Sequence, residues 1–195
     1  MQDVKTPALK AVNLYMEANP NPNSMKFVAN FMLLPEGVSY DFPTKEDASD
    51  SNLALQLFEL DFVERVFFTS NFVTVTKKED RDWMEIRNEI RELIKAYLEK
   101  GKLVVGEIVD NNQINEDDPE SVKKIKGILD EYIRPAVESD GGAISFHSFE
   151  GGVLKVLLQG SCSGCPSSTV TLKAGIENLM KRMLPEVQSV EAEGV

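Results

Sequence analysis

The chain has few of the residues from which proteins build metal and redox sites. Its 195 residues include two cysteines and one histidine, so one copy cannot supply four thiolate or imidazole ligands to a closed site. Basic residues are also outnumbered, 21 against 32 acidic ones, which gives a net charge of −11. That charge argues against a general nucleic-acid or anionic-membrane binder, because both need a concentrated basic surface. Protein partners are the better expectation.

Long apolar runs are missing as well. The first thirty residues contain no apolar run of signal-peptide length behind a basic start, and no later segment approaches membrane-spanning length. No organellar transit peptide is recognisable. We therefore expect a cytoplasmic protein, in a compartment where thiols stay reduced and a structural disulfide is disfavoured. With 42% hydrophobic and 27% charged residues the composition is globular, and the length suits two small domains.

Residues 1–101 are predicted to form an α+β domain. Its elements, in chain order, are a strand at 11–16, a strand at 26–34, a short helix that Asp50 and Ser51 can cap, a hairpin around 69–71, and a long helix from Asp82 that Gly101 stops. We expect a mixed sheet with helices against one face. The domain has neither cysteine nor histidine, so it offers no conventional soft ligands. Recognition of protein partners is the role we expect for it.

Residues 102–119 lack a periodic apolar face and end in acidic and amide residues, which predicts a linker. Residues 120–195 are predicted to form a second α+β domain of order α-β-β-α-β, with the cysteine loop before its second helix. Its elements are a helix with Asp118 as N-cap, strands at 143–149 and 153–159, a helix from Pro166 and a strand at 187–192. The residues of the second helix predicted to face inward are Val170, Ala174, Ile176, Leu179, Met180 and Met183.

Both cysteines lie in one stretch, GSCSGCPSST at 160–169, as Cys162 and Cys165. A CxxC pair that ends a strand and starts a helix has its sulfurs near unsatisfied N–H groups and the positive end of the helix dipole. Both effects lower the pKa of a thiol. Thiolates are then available at neutral pH, as metal ligands or as nucleophiles.

The residues alone leave several uses of this pair open. An intrachain zinc site needs two more ligands, and besides carboxylates the chain offers only His147, whose strand position predicts an exposed surface residue. A thiol-disulfide redox pair also uses CxxC at a helix start, although here the order is hairpin, loop, helix rather than a βαβ unit. Two copies related by a two-fold axis would together supply four thiolates, the requirement of a 4Fe-4S or 2Fe-2S cluster.

Two parts of the chain resemble a known family. The segment 133–191, with its DGG turn, its GSCSGCPSST loop and its PEV after the last helix, closely resembles the NifU-like domain of the Nfu family of iron-sulfur cluster scaffolds and carriers. The stretches 19–27 and 54–77 and the pair Asp82-Trp83 resemble the N-terminal domain of the same family. The likeness therefore covers most of the chain.

The resemblance implies that Cys162 and Cys165 bind a 4Fe-4S cluster, shared between two subunits and passed to apo-proteins. A 2Fe-2S cluster is the alternative cargo. The implied protein is a carrier and not an enzyme, since no nucleophile, base and orienting group can be grouped from the sequence. Its implied partners are apo iron-sulfur client proteins, upstream cluster assembly proteins and a second copy of the chain.

Overall fold

The structure is a computed structural model and describes residues 11–108, 114–163 and 166–194, without the side chains of 166–169. It contains a five-stranded sheet in the N-terminal part and a three-stranded sheet in the C-terminal part, each packed with helices. The predicted α+β class with two small domains is confirmed. Cys165 and the middle of the predicted linker lie outside the described residues. Among the described helices, none is both long enough and apolar enough to span a bilayer.

The N-terminal sheet is antiparallel throughout. Its strands and helices are β1 (Leu14–Ala18), β2 (Ser24–Ala29), β3 (Ser39–Phe42), α1 (Asn52–Phe58), β4 (Val63–Thr69), β5 (Phe72–Lys77) and α2 (Trp83–Leu98). The strand order is β1-β2-β5-β4-β3, and every neighbouring pair is antiparallel. The predicted mixed sheet is wrong, because no helical crossover returns a strand parallel to its neighbour.

Side chains alternate between the two faces of this sheet. On β4, Val66 and Phe68 join the core under α1 and α2, whereas Phe67 belongs to a separate cluster on the opposite face. Helix α1 begins where the sequence predicts. Ser51 is its N-cap, since the Ser51 side chain accepts a hydrogen bond from the amide of Ala54. The sheet therefore has an inner face covered by helices and an outer face that needs another partner.

The first residues of the predicted linker pack with the N-terminal domain. Val104 and Val105 are buried in its core. The Ser51 hydroxyl donates to the Val104 carbonyl at 2.6 Å, and the Gly106 amide donates to the Asp50 carbonyl at 2.9 Å. The chain therefore leaves this domain several residues after α2 ends.

The C-terminal domain has the predicted order α-β-β-α-β, with its first helix in three pieces. The elements are α3 (Glu120–Ile128), a π-helical turn (Leu129–Ile133), α4 (Arg134–Ser139), β6 (Gly142–Glu150), β7 (Val153–Gly160), α5 (Pro166–Met183) and β8 (Ser189–Gly194). Pro135 lies at the start of α4, where its missing N–H interrupts the regular helix. Strand β7 lies centrally, antiparallel to β6 and parallel to β8.

One predicted cap of this domain is replaced by another interaction. Pro119 occupies the N-cap of α3, and the Asp118 carboxylate instead accepts a hydrogen bond from Lys126 Nζ at 2.8 Å. That bond, followed by one from the Asn115 amide, lowers the pKa of Asp118. The carboxylate therefore ties the chain ahead of α3 to the side of the helix.

Helix α5 is covered over part of its length. Ile176 and Met180 are fully buried, as predicted, but Val170 is 71% exposed, and Ala174 and Met183 are exposed too. The inward orientation predicted for those three residues is wrong for a single chain. The first described turns of α5, which follow the cysteine loop, therefore carry exposed apolar side chains.

Candidate functional site

Cys162 lies in the turn that follows β7, four residues ahead of the first residue of α5. It is 3% exposed and belongs to the core of the C-terminal domain. The preceding residue fixes the turn, because the Ser161 hydroxyl donates to the Asp140 carbonyl and the Ser161 amide donates to the Gly141 carbonyl at 3.3 Å. The cysteine loop is thus held against the DGG turn that connects α4 to β6.

Gly142 makes the close approach of Cys162 possible. A Cβ atom on residue 142 would lie 2.8 Å from the Cys162 Sγ and 2.5 Å from the Gln159 carbonyl oxygen. Such contacts are too short for any other residue type. Gly141, beside it, has φ of +82°, which also favours glycine. The second glycine of the DGG turn is therefore required by the position of the cysteine.

The outer face of the N-terminal sheet packs against both flanks of this loop. A Cβ on Gly160 would lie 2.8 Å from two ring atoms of Phe67. The Thr74 hydroxyl donates to the Gly141 carbonyl at 2.8 Å, and Asn21 Nδ2 donates to the Ser161 carbonyl at 3.2 Å. The two domains therefore meet at the strand end and the turn that carry the first cysteine.

A buried ion pair of the N-terminal domain also reaches the loop. Arg65 Nε and Nη2 donate to the two carboxylate oxygens of Asp41, each at 2.7 Å, and the Asp41 side chain is 1% exposed. Asp41 Oδ2 in addition accepts the Gly160 amide at 2.9 Å. Bidentate charge-assisted bonds of this kind are strong and directional. They place a carboxylate against the backbone two residues before Cys162.

A second charged group crosses the contact near the end of α4. Lys26 Nζ donates to the carbonyls of Glu138 and Ser139, both at 3.3 Å, and lies 4.7 Å from the centre of the Phe72 ring. Burial raises the pKa of the Glu138 carboxyl, an effect that the nearby positive charge of Arg134 opposes. The end of α4 is therefore tied to the outer face by a cation and carries a partly desolvated acid.

An open polar cavity of about 410 Å³ lies beside the cysteine loop. Ser163 lines it from the C-terminal domain, and Asn21, Arg65 and Lys78 are among the residues that line it from the N-terminal domain. The cavity is the solvent-accessible edge of the contact between the domains. Solvent reaches the loop from this side.

The structure locates one of the two predicted ligands. Cys162 is placed as described, and Cys165 falls outside the described residues. His147 is exposed on β6, as predicted. Across 11–108, 114–163 and 166–194, no three His, Cys, Asp or Glu side chains come together as potential metal ligands. The described part of one chain thus contributes a single soft ligand, Cys162, to any metal site at this loop.

Sequence reasoning missed the residues that the N-terminal domain brings to the loop, among them Asp41 and Arg65. Asp41 lies on β3, a strand of four residues that the pattern did not predict. A signal was present in the adjacent pair Phe67-Phe68 on β4. Two large apolar residues in succession point to opposite faces of a strand and indicate that both faces of the sheet are covered.

Comparisons with known proteins match both halves of the chain. Residues 14–101 match the family described as scaffold protein Nfu/NifU N terminal, and residues 125–191 match the NifU-like domain. Relatives named "NFU1 iron-sulfur cluster scaffold homolog, mitochondrial" include those of Drosophila persimilis, with 42% identity over 93% of this chain and 65% of the relative, and Drosophila willistoni, with 42% identity over 96% and 69%. The relative of Drosophila grimshawi is 45% identical over 88% of this chain and 58% of its own length.

Among solved structures, the solution structure of a NifU-like protein from Saccharomyces cerevisiae is similar, at 22% identity and a TM-score of 0.46, over 55% of this chain and 91% of that one. The two family matches define a chain in which an Nfu N-terminal domain precedes a NifU-like domain. The chain belongs to the Nfu family. It spans slightly less than two thirds of the Drosophila persimilis relative, 65% of its length.

The relatives correct one prediction. A cytoplasmic location was predicted from the lack of an export signal, whereas the three Drosophila relatives are named mitochondrial. The prediction is wrong. These relatives are longer than the chain, so the residues at its start were not a sound basis for assigning a compartment.

Proposed function

We propose that this chain is an iron-sulfur cluster carrier that binds a 4Fe-4S cluster through Cys162 and Cys165 of two copies and transfers it to apo-proteins. The observation that carries the proposal is the position of Cys162, on the turn between β7 and α5 within the part that matches the NifU-like domain. The relatives named as iron-sulfur cluster scaffolds support the cargo. We further propose a mitochondrial location, on the same names.

Two copies are needed because each chain has two cysteines and an iron-sulfur cluster normally takes four thiolates. The exposed apolar residues at the start of α5 support this arrangement. Val170 is the eighth residue after Cys162 and is 71% exposed in one chain. A second copy that brings its cysteines to the same cluster would also cover this part of the helix.

The cluster is cargo, and the chain's own contribution is to hold and release it. Helix α5 begins four residues after Cys162, and the unsatisfied N–H groups at a helix start can donate hydrogen bonds to the sulfur atoms of a bound cluster. A site completed by a second copy comes apart when the two copies separate, which suits transfer to an apo client. The N-terminal domain, 1–101, is proposed to recognise clients and upstream assembly proteins, 102–119 to link the domains, and 120–195 to bind the cluster.

The alternative is a thiol-disulfide redox protein that uses the same two cysteines. The loop geometry around Cys162 does not by itself separate the two uses, because both employ a cysteine pair that ends a strand and precedes a helix. The experiment therefore has to read metal content and disulfide chemistry in one set of variants.

The test is anaerobic reconstitution with iron and sulfide, followed by native mass spectrometry and iron and sulfide assays on the same sample. We expect a dimer with one four-iron, four-sulfide unit, and loss of the cluster in Cys162→Ser and Cys165→Ser alike. Ser148→Ala, at the other end of β6, is the matched control and should keep the cluster. A monomer without iron whose Cys165→Ser variant traps a mixed disulfide through Cys162 would favour the redox protein instead.

A further inference from the structure

We propose that the N-terminal domain controls access to the cysteine loop: while the outer face of its sheet is docked on the loop, a second copy cannot complete the cluster site, and loading requires the domains to separate. The inference rests on the proposed function, since it concerns when two copies can share a cluster. The outer face comprises Asp41, Phe67, Phe72 and Thr74, and the docked state is the arrangement in which it contacts the loop.

The outer face is built to be covered. Phe67 and Phe72 are 1% and 3% exposed and form a cluster with Ala143, which is the second residue of β6. Among the residues that the structure describes, Ala143 is the member of this cluster that the C-terminal domain contributes. The next residue, Ile144, lies in the C-terminal core on the other face of the strand. Two phenylalanines on a sheet face are costly to leave in water, so docking has an apolar driving force.

Three polar contacts of the docked state fall on the backbone next to Cys162. Asp41 accepts the Gly160 amide, Thr74 donates to the Gly141 carbonyl and Asn21 donates to the Ser161 carbonyl. These bonds tie both backbone segments that hold Cys162. A change in the loop that brings the sulfur outward has to break or rearrange them.

The position of Cys162 in the docked state does not suit a shared cluster. At 3% exposure its sulfur is packed against Gly142 within one domain. A cluster between two copies requires sulfurs from both chains to reach the same iron atoms. The loop must therefore change before it can bind cargo, and the contacts that hold it favour the cluster-free chain.

Docking and loading are consequently linked. If separation of the domains favours loading, a bound cluster favours separation by the same factor, because coupling between two sites is reciprocal. The contact is also suited to reversible opening. It combines one small apolar cluster with hydrogen bonds to backbone carbonyls and amides that water can replace, as contacts between mobile domains do.

Ala143→Asp is the variant that tests the proposal. A carboxylate at residue 143 would face Phe67 and Phe72 in the docked state, where burial of an unpaired charge is unfavourable. Once the domains separate, the same carboxylate faces water, and neither domain core is altered. Ala136→Asp, on an exposed position of α4, adds the same charge without touching the contact and is the matched control.

Two measurements are made on the full chain. Hydrogen exchange followed by mass spectrometry reads docking at residues 141–143 and at Phe67. Anaerobic reconstitution with iron and sulfide reads the rate of cluster uptake and the fraction of dimer. We expect Ala143→Asp to exchange faster at these segments, to load faster, and to reach half-loading at an iron and sulfide concentration about fivefold lower, the lower end of usual coupling factors for binding. Ala136→Asp should match the unsubstituted chain in both.

Thr74→Val provides a second perturbation from the N-terminal side, since it removes the bond to the Gly141 carbonyl and preserves the side-chain shape. Like Ala143→Asp, it should speed hydrogen exchange at the contact and cluster loading, but by a smaller factor. Loading by Ala143→Asp that equals or falls below that of the unsubstituted chain, with faster exchange at the contact, would overturn the proposal and leave the carrier function in place. Absence of a cluster in the unsubstituted chain would overturn the carrier function, and the control of loading with it.

Discussion

Replacement of Arg65 by methionine should strongly destabilise the N-terminal domain. The Asp41 carboxylate is 1% exposed and accepts bonds from Arg65 Nε, Arg65 Nη2 and the Gly160 amide. Arg65→Met removes two bonds to a buried charge, at about 1.5–3 kcal/mol each. In other proteins, removal of one partner of a buried ion pair destabilises the fold by about 3–5 kcal/mol. We therefore expect the free energy of unfolding to fall by about that amount.

Unfolding in urea, followed by tryptophan fluorescence, measures this loss. Trp83 is the single tryptophan and lies at the start of α2, so its emission reports on the N-terminal domain alone. Arg81→Met is the matched control, because Arg81 pairs with Asp61 at the surface, where both side chains are largely solvated and the pair contributes about 0–1 kcal/mol.

The double variant Arg65→Met, Asp41→Asn separates charge burial from lost packing. It leaves a neutral amide at residue 41 whose oxygen can still accept the Gly160 amide. We expect it to recover most of the stability lost in the single variant. A loss below about 1 kcal/mol in Arg65→Met, or an equal loss in Arg81→Met, would refute the assignment of Asp41 as a desolvated carboxylate.

Two further changes have defined outcomes. Gly142→Ala places a methyl group 2.5 Å from the Gln159 carbonyl oxygen, a backbone atom that cannot move away. The free energy of unfolding of the C-terminal domain should therefore fall by about 1–3 kcal/mol. Thermal or urea unfolding followed by circular dichroism measures this loss. Burial raises the pKa of Glu138, so the docked chain binds that proton more tightly and docking weakens as pH rises from the ordinary glutamate value through the raised one. After correction for the intrinsic rise of the exchange rate with pH, protection of the amides of residues 141–143 should therefore fall as the pH rises above the ordinary glutamate range, and Glu138→Gln should remove this fall.

Local signals in the sequence predicted most elements because the decisive interactions are local. The N-cap Ser51 bonds to an amide three residues away, and the hairpin around Ser70 turns in two residues between β4 and β5. The C-terminal order of elements followed from hydrophobic periodicity and glycine turns. These features need no knowledge of the rest of the chain.

Elements that depend on distant partners were missed or misplaced. Strand β3 has four residues, of which Phe42 is the one buried apolar residue, so it shows no alternating apolar pattern, and it exists through pairing with β4. Val170 fits the apolar stripe of α5 by spacing, but the three-stranded sheet and its helices leave it exposed. Spacing identifies a face of a helix, whereas the surrounding fold decides what covers it.

The predicted half-site and the unpredicted contact between the domains explain each other. A loop with two cysteines cannot hold a four-thiolate cluster in one chain, so in the absence of a partner it has to be kept folded by other means. The structure supplies those means through Gly142, which admits the Cys162 sulfur to the core, and through Asp41 and Thr74, which bind the flanking backbone. A chain organised in this way keeps the Cys162 thiol packed while it carries no cluster. In the proposed mechanism, release of the contact frees the backbone that flanks Cys162 and uncovers the two phenylalanines of the outer face, so the same event would ready the chain for a second copy and offer an apolar surface to a client.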